Sequence, residues 1–194
     1  YLFLIFNYFL EGIFLDNIRN GRFKTGMTDE ASVYTSSLEA DKLLFEADIK
    51  TNFAHTSMLK HEGIIDADIA DNILCALDSL KEEGYEALVF DPSVEDVHMA
   101  IENYVTSKSG PEAGFMHTAK SRNDQVACDV RLVLREMIEE IQIGILEFIE
   151  GLVEMAGEHL EDIFIGFTHL QHAQPITIAH HLMAHVQALK RDYE

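Results

Sequence analysis

The sequence predicts an all-α protein: a small helical N-terminal domain followed by the first long helices of a central helical bundle. Three observations lead there. From Asp41 onward apolar residues recur at three- and four-residue intervals. Glycines and an Asp-Pro step punctuate these runs where helices stop and start. One proline-free run, Arg122 to about His159, repeats its apolar residues every seven. The expected organisation is an apolar leader over residues 1–18, a helical domain over 19–120, and an incomplete bundle over 121–194.

The leader, Tyr1 to Leu15, is rich in Phe, Leu and Ile but broken by Asn7 and Glu11. It falls short of the roughly 18 apolar residues that span a bilayer. It also lacks the basic and small residues that bracket a signal peptide. We expect a buried or spurious leader and no membrane anchor.

The first helix runs from Asp41 to His61, with Leu44, Phe45, Ile49, Phe53 and Leu59 on one face and Gly63 as its stop. Asp66 can cap a second, carrying Ile69, Ile73, Leu74, Leu77 and Leu80 and closed by Gly84. A short extended piece, Ala87 to Phe90, precedes a third helix, opened by Asp91-Pro92-Ser93 and ended by Ser109-Gly110-Pro111. Ser93 and Asp96 resemble a capping pair there.

The fourth helix would be on the order of 55 Å long at ~1.5 Å per residue. Its stripe of Leu134, Ile141, Phe148 and Met155, with Ile138, Ile145 and Leu152 beside it, must find other long helices. Gly144 and Gly151 flank the stripe and suit either close helix approach or a merely tolerant position. A loop is expected over Gly166 to Pro175, with Pro175 in the first turn of a fifth helix. That helix carries Ile178, Leu182, Met183, Val186 and Leu189 and meets no stop signal before Glu194, as in a truncated copy of something longer.

A formal charge of −20 excludes a nucleic-acid binder, which needs clustered cations to neutralise phosphates. One stretch is locally basic, with Lys120, Arg122, Arg131 and Arg135, and offers an anionic ligand a place. Cys75 and Cys128, far apart in a chain of 194 residues, suit a reduced cytoplasmic protein better than a disulfide scaffold.

Two segments carry chemistry. Met116 to Gln125 places hydroxyl, guanidinium and amide donors at the start of the long helix, where unpaired N–H groups and the helix dipole favour a carboxylate. The bland alternative is capping by Ser121 with Asp124 in the first turn. The second segment, Gly166 to Pro175, holds Thr168 and His169, and a loop histidine titrates near neutrality. His181 and His185, four apart and near His169, His172 and His180, raise a metal site, but no Glu or Cys completes a zinc pattern. We expect no metal and no cofactor.

Together, Ser121-Arg122-Asn123-Asp124-Gln125 heading a long helix and Thr168-His169-Leu170-Gln171 running to Ala173-Gln174-Pro175 resemble the argininosuccinate lyase and delta-crystallin family. The wider fumarase and aspartase superfamily is similar in the second segment. Gly21-Arg22-Phe23, Ser37 with Asp41-Lys42 and Asp48, and Glu95-Asp96-Val97-His98 with Glu102 extend the resemblance over about residues 21–194. Residues 1–18 stay unmatched, and Arg19-Asn20 and Ala119-Lys120 replace the family's usual Trp-Gly and Gly-Arg.

The resemblance implies elimination of arginine from argininosuccinate to leave fumarate. It implies that Ser121, Arg122 and Asn123 hold substrate carboxylates, with Thr118 nearby. Thr168 and His169 would sit at the reacting carbon, His169 tuning or relaying the proton. Ser37 and His98 would be secondary contacts, and Gln171 and Gln174 polar supports. The family assembles its sites from three subunits of a homotetramer and takes its base from a mobile Gly-Ser-Ser…Met-Pro…Lys loop. Nothing like that loop occurs in these residues, so the chain alone is expected to be inactive. Two other readings stand beside this one: another lyase of the superfamily, such as adenylosuccinate lyase or fumarase, and a non-catalytic helical assembly protein.

Overall fold

The computed structural model describes residues 28–90 and 94–194. The apolar leader, the Gly21-Arg22-Phe23 motif and the helix start expected at Asp91–Ser93 lie outside the described residues. Helices dominate: α1 (Asp29–Thr35), α2 (Leu38–Asp41), α3 (Phe45–His61), α4 (Ala67–Glu83), α5 (Val97–Ser109), α6 (Arg122–Glu158) and α7 (Ile178–Tyr193). Two strands, β1 (Ile163–Thr168) and β2 (Gln171–Thr177), form the sheet of the described residues. Two compact units emerge, one ending at Val133 and the other spanning Leu134–Glu194.

In the first unit the expected periodicities produce the core. On α4, Ala70, Ile73, Ala76, Leu77 and Leu80 are buried, the spacing of a single helical face. Ile73, Ala76, Leu77 and Leu80 pack with Leu44, Phe45 and Ile49 from the α3 side and with Val97, Ile101 and Val105 of α5, while Ala70 packs with Leu59 and Ile65. Glycines at φ 81° (Gly84) and 85° (Gly110) close α4 and α5, a left-handed conformation that costs glycine no Cβ clash.

Several local expectations need correction. The first helix is not continuous from Asp41, because a 3-10 turn over Lys42–Leu44 precedes α3. Asp66 occupies the cap position of α4 without a side-chain hydrogen bond. The described cap of α5 is Asp96, whose carboxylate accepts the Met99 N–H at 2.6 Å, so the helix begins at Val97. A 3-10 segment, Pro111–His117, fills what read as a simple break and buries Ala113 and Met116.

The second unit holds the larger correction. Gly166 to Pro175 is no loop: β1 and β2 pair antiparallel, with Ile163 opposite Thr177, Phe164 opposite Ile176 and Ile165 opposite Pro175. Pro175 therefore sits in a strand, tolerated because a two-stranded ribbon is all edge. Helix α7 starts instead at Ile178, with the Thr177 hydroxyl accepting the His180 N–H at 3.1 Å. The ladder shifts register between Ile165 and Phe167, and Gly166 lies at that irregularity. A Cβ there would meet the Gln174 carbonyl oxygen at 2.9 Å.

Helix α6 has the extent read from the sequence. Its heptad residues Leu134, Ile138, Ile141, Phe148 and Met155 are about half or more exposed. Among the described residues a Cβ at Gly144 or Gly151 would touch nothing within 4 Å, so no close helix approach among them explains these glycines.

Candidate active site

The start of α6 is built from the chain upward. Asn123 N–H donates to the Ser121 hydroxyl at 3.2 Å, and Asp124 accepts the Ser121 N–H at 3.2 Å. This reciprocal cap satisfies two groups that the helix start would otherwise leave unpaired. Ser121 and Asn123 remain exposed, so the capped turn still presents hydroxyl, amide and positive dipole to solvent. Just before it, Ala119 stands at φ 60°. That left-handed conformation is the physical reason a glycine would suit this position better.

Arg122 is held on three sides. Its Nε lies 3.2 Å from Asp96, and one terminal nitrogen lies 3.0 Å from Glu102 and 2.6 Å from the Gln125 side-chain oxygen. Glu102 also contacts His117 Nδ1 at 2.8 Å. Burial pushes the Glu102 carboxyl up, but the His117 hydrogen bond and the Arg122 charge outweigh it and hold it below its ordinary range. Arg122 is thus committed to carboxylates of its own chain.

Beneath this turn lies a buried polar cluster. Asp48, Asn52 and Thr56 recur every four residues on α3 and are 0% exposed, a polar stripe inside the helix that the apolar pattern conceals. Asp48 accepts from the Asn52 amide at 2.9 Å and from the Gln125 amide. Its carboxylate also lies 3.0 Å from His98 Nδ1. Asp129 accepts the Thr51 hydroxyl at 2.5 Å and lies 3.5 Å from His98 Nδ1. The Lys120 ammonium donates to the Asn52 side-chain oxygen.

Charges shift accordingly. Burial lowers His98, but the Asp48 hydrogen bond and charge prevail and raise it above the usual histidine range. Asp129 is pushed up to about 6, by burial first and by the Asp48 charge, against the Thr51 hydrogen bond. Burial holds Lys120 below its ordinary value. Donor atoms of Asp48, His98 and Asp129 lie within 4.8 Å of one another, the arrangement a cation would need. Here the carboxylates accept instead from Thr51, Asn52 and Gln125.

The remaining expected site residues fall as follows. Ser37 donates its hydroxyl to Asp41 and its N–H to the Glu95 carbonyl at 2.9 Å, which ties it to the segment leading into Asp96. The Thr118 carbonyl lies 2.8 Å from His55 Nε2. His98, 1% exposed, faces carboxylates rather than an open surface. In the second unit, Thr168 and Gln171 pair across the hairpin, and His169 and Leu170 make its two-residue turn. Both turn residues have positive φ, 51° and 63°, the backbone of a type I′ turn usually built from Asn-Gly. Holding a histidine there costs on the order of 1–2 kcal/mol, and strain of this kind gathers at functional sites. Thr168, His169, Gln171 and Gln174 are all exposed. Sequence reading missed Asn52, Thr51 and Asp129; the signal for the first was the four-residue spacing from Asp48 to Thr56.

Comparison with known proteins places these features in a family. A family profile described as Lyase matches residues 21–194. The argininosuccinate lyase of Methanothermobacter thermautotrophicus is 60% identical over 92% of this chain, and that of Methanosphaera stadtmanae is 57% identical over the same share. The match covers 38% of each relative, so the chain spans well under half of their length. Among solved structures, an EDDS lyase variant with bound fumarate is 26% identical, with a TM-score of 0.71 over 88% of this chain and 34% of that one. A fumarate lyase:delta crystallin from Brucella melitensis, 19% identical over 87% of this chain and 44% of that one, shares the fold at a TM-score of 0.66. With a profile match over residues 21–194 and argininosuccinate lyases among its similar relatives, this protein belongs to the lyase family that includes the argininosuccinate lyases.

Proposed function

We propose that this chain is part of an argininosuccinate lyase, which eliminates arginine from argininosuccinate and releases fumarate. The observation that carries the reading is the exposed start of α6. Ser121 and Asn123 present a hydroxyl and a side-chain amide at the positive end of a long helix dipole, the environment a dicarboxylate product fits. Elimination begins with loss of a weakly acidic proton beside a carboxylate, so donors aimed at the developing negative charge supply much of the rate. Ser121 and Asn123 bind and orient a substrate carboxylate. Arg122, already paired to Asp96 and Glu102, fixes the turn and adds its field from behind. In the second unit, Thr168 and His169 offer a hydroxyl and an imidazole at the hairpin tip, and His169 takes the role of relaying or tuning the proton.

The exposed heptad stripe of α6 supports a homotetramer joined through its long helices. Two free cysteines support a reducing, cytoplasmic setting. No described helix is long and apolar enough to cross a membrane. The test is fumarate binding to the purified chain, followed at the backbone amides of Ser121, Arg122 and Asn123 by NMR. Saturable shifts that disappear in Asn123→Ala support the reading. Absence of any fumarate-dependent shift would remove the carboxylate site. Argininosuccinate added to the chain alone is expected to yield no fumarate.

A further inference from the structure

Two cations flank Ser121, and neither stands free. The Lys120 ammonium donates to the side-chain oxygen of Asn52, and Arg122 donates to that of Gln125 at 2.6 Å. Each of these amides turns its NH2 group the other way, onto the same carboxylate. Asn52 donates to Asp48 Oδ2 at 2.9 Å, and Gln125 donates to Asp48 Oδ1. One buried anion thus reaches two cations through two amides, each amide aligned with its dipole between negative and positive charge. Asp48, Asn52 and Gln125 are at most 2% exposed, so water offers little alternative partner.

We propose that Asp48 is the positioning residue of the carboxylate-binding turn, setting Lys120 through Asn52 and Arg122 through Gln125. The value of this device rests on the reading of Ser121–Asn123 as the carboxylate site. Its geometry does not. An ionised Asp48 accepts only, which forces both amides to present their NH2 groups inward and their carbonyl oxygens to the cations. Facing Asp48 are His98 from α5, whose Nδ1 lies 3.0 Å away, and Asp129 from α6, 3.5 Å from the same nitrogen. Asp96 and Glu102 complete the ring of charge around Arg122. Replacing Asp48 by an asparagine removes the constraint, because an amide both donates and accepts and lets either relay flip.

Selectivity makes the idea testable. Lys120 is read by acylation and Arg122 by phenylglyoxal, each located by mass spectrometry in the intact 194-residue chain, with hydrogen exchange of α4 as the check on folding. Asp48→Asn should accelerate labelling at both cations by about tenfold or more, the scale of one charge-assisted hydrogen bond. Asn52→Leu should release Lys120 alone, and Gln125→Leu should release Arg122 alone. General loosening would free both in every variant, which overturns the proposal. So would Asp48→Asn labelling within about twofold of the parent chain. Should Asp48→Asn lose α4 protection, the two amide variants decide by their selectivity. Amide exchange at Ser121–Asn123 with and without fumarate is recorded on the same samples. If fumarate has no effect while the labelling stays selective, the carboxylate reading fails and the positioning role stands.

Discussion

Asp129 sets a pH dependence whose sign and size follow from its surroundings. Fully buried beside Asp48, its carboxyl is raised from 3.8 to about 6. A raised folded value means that the native chain holds this proton more tightly than the unfolded one. The stability it confers is complete below the unfolded value and is lost as pH rises through the folded value. A shift of roughly two units corresponds to ~3 kcal/mol in all, of which about 1 kcal/mol falls between pH 5 and 6. His98, also raised, acts in the same direction but above its ordinary value of 6.5, as pH climbs through the folded one. Glu102, lowered, opposes both only toward acid, around 4.5 and below. The interval from pH 5 to 6 therefore isolates Asp129. Asp129→Asn keeps an oxygen for the Thr51 hydroxyl and removes the titration. Urea midpoints of the parent chain should fall by roughly half a molar across that unit, given a slope of about 2 kcal/mol per molar. Those of Asp129→Asn should stay flat. Parallel declines in both proteins would refute the reasoning.

Other outcomes follow from single residues. Ala119→Gly relieves the φ of 60° and should raise stability by ~0.5–1 kcal/mol in the same urea assay. Gly166→Ala drives a Cβ to 2.9 Å from a backbone oxygen and should cost the hairpin about 1–3 kcal/mol, seen as faster amide exchange over 163–177 with α4 unchanged. The proposed assembly through the exposed stripe predicts that Ile141→Glu with Phe148→Glu lowers the sedimenting mass relative to the parent chain at equal concentration. An unchanged mass would remove the stripe from the assembly.

Helix identity was legible in the sequence wherever apolar spacing and a stop residue agreed. Gly84 and Gly110 mark ends because only their backbone freedom permits the observed φ, and α6 keeps its full extent because no proline or turn cluster interrupts it. The hairpin escaped because its turn is His-Leu rather than Asn-Gly, because Gly166 interrupts the alternation, and because Pro175 resembles a helix opener. The buried cluster escaped for another reason. Asp48, Asn52 and Asp129 lie on helices whose apolar residues dominate the pattern, and only tertiary packing turns the two carboxylates toward His98 and Asn52 toward Lys120. The exposed donors Ser121 and Asn123 were legible as residues, whereas the engagement of Arg122 by Asp96 and Glu102 requires packing between α5 and α6.

The most direct test of the central claim is a chimera. Residues 21–194 of this chain would replace the matching part of the Methanothermobacter thermautotrophicus argininosuccinate lyase, to which the chain is 60% identical. The chimera should form fumarate and arginine from argininosuccinate, and Ser121→Ala and His169→Asn within it should each lower kcat by about a hundredfold or more. A folded, assembled chimera without turnover, or one indifferent to both substitutions, would contradict the account.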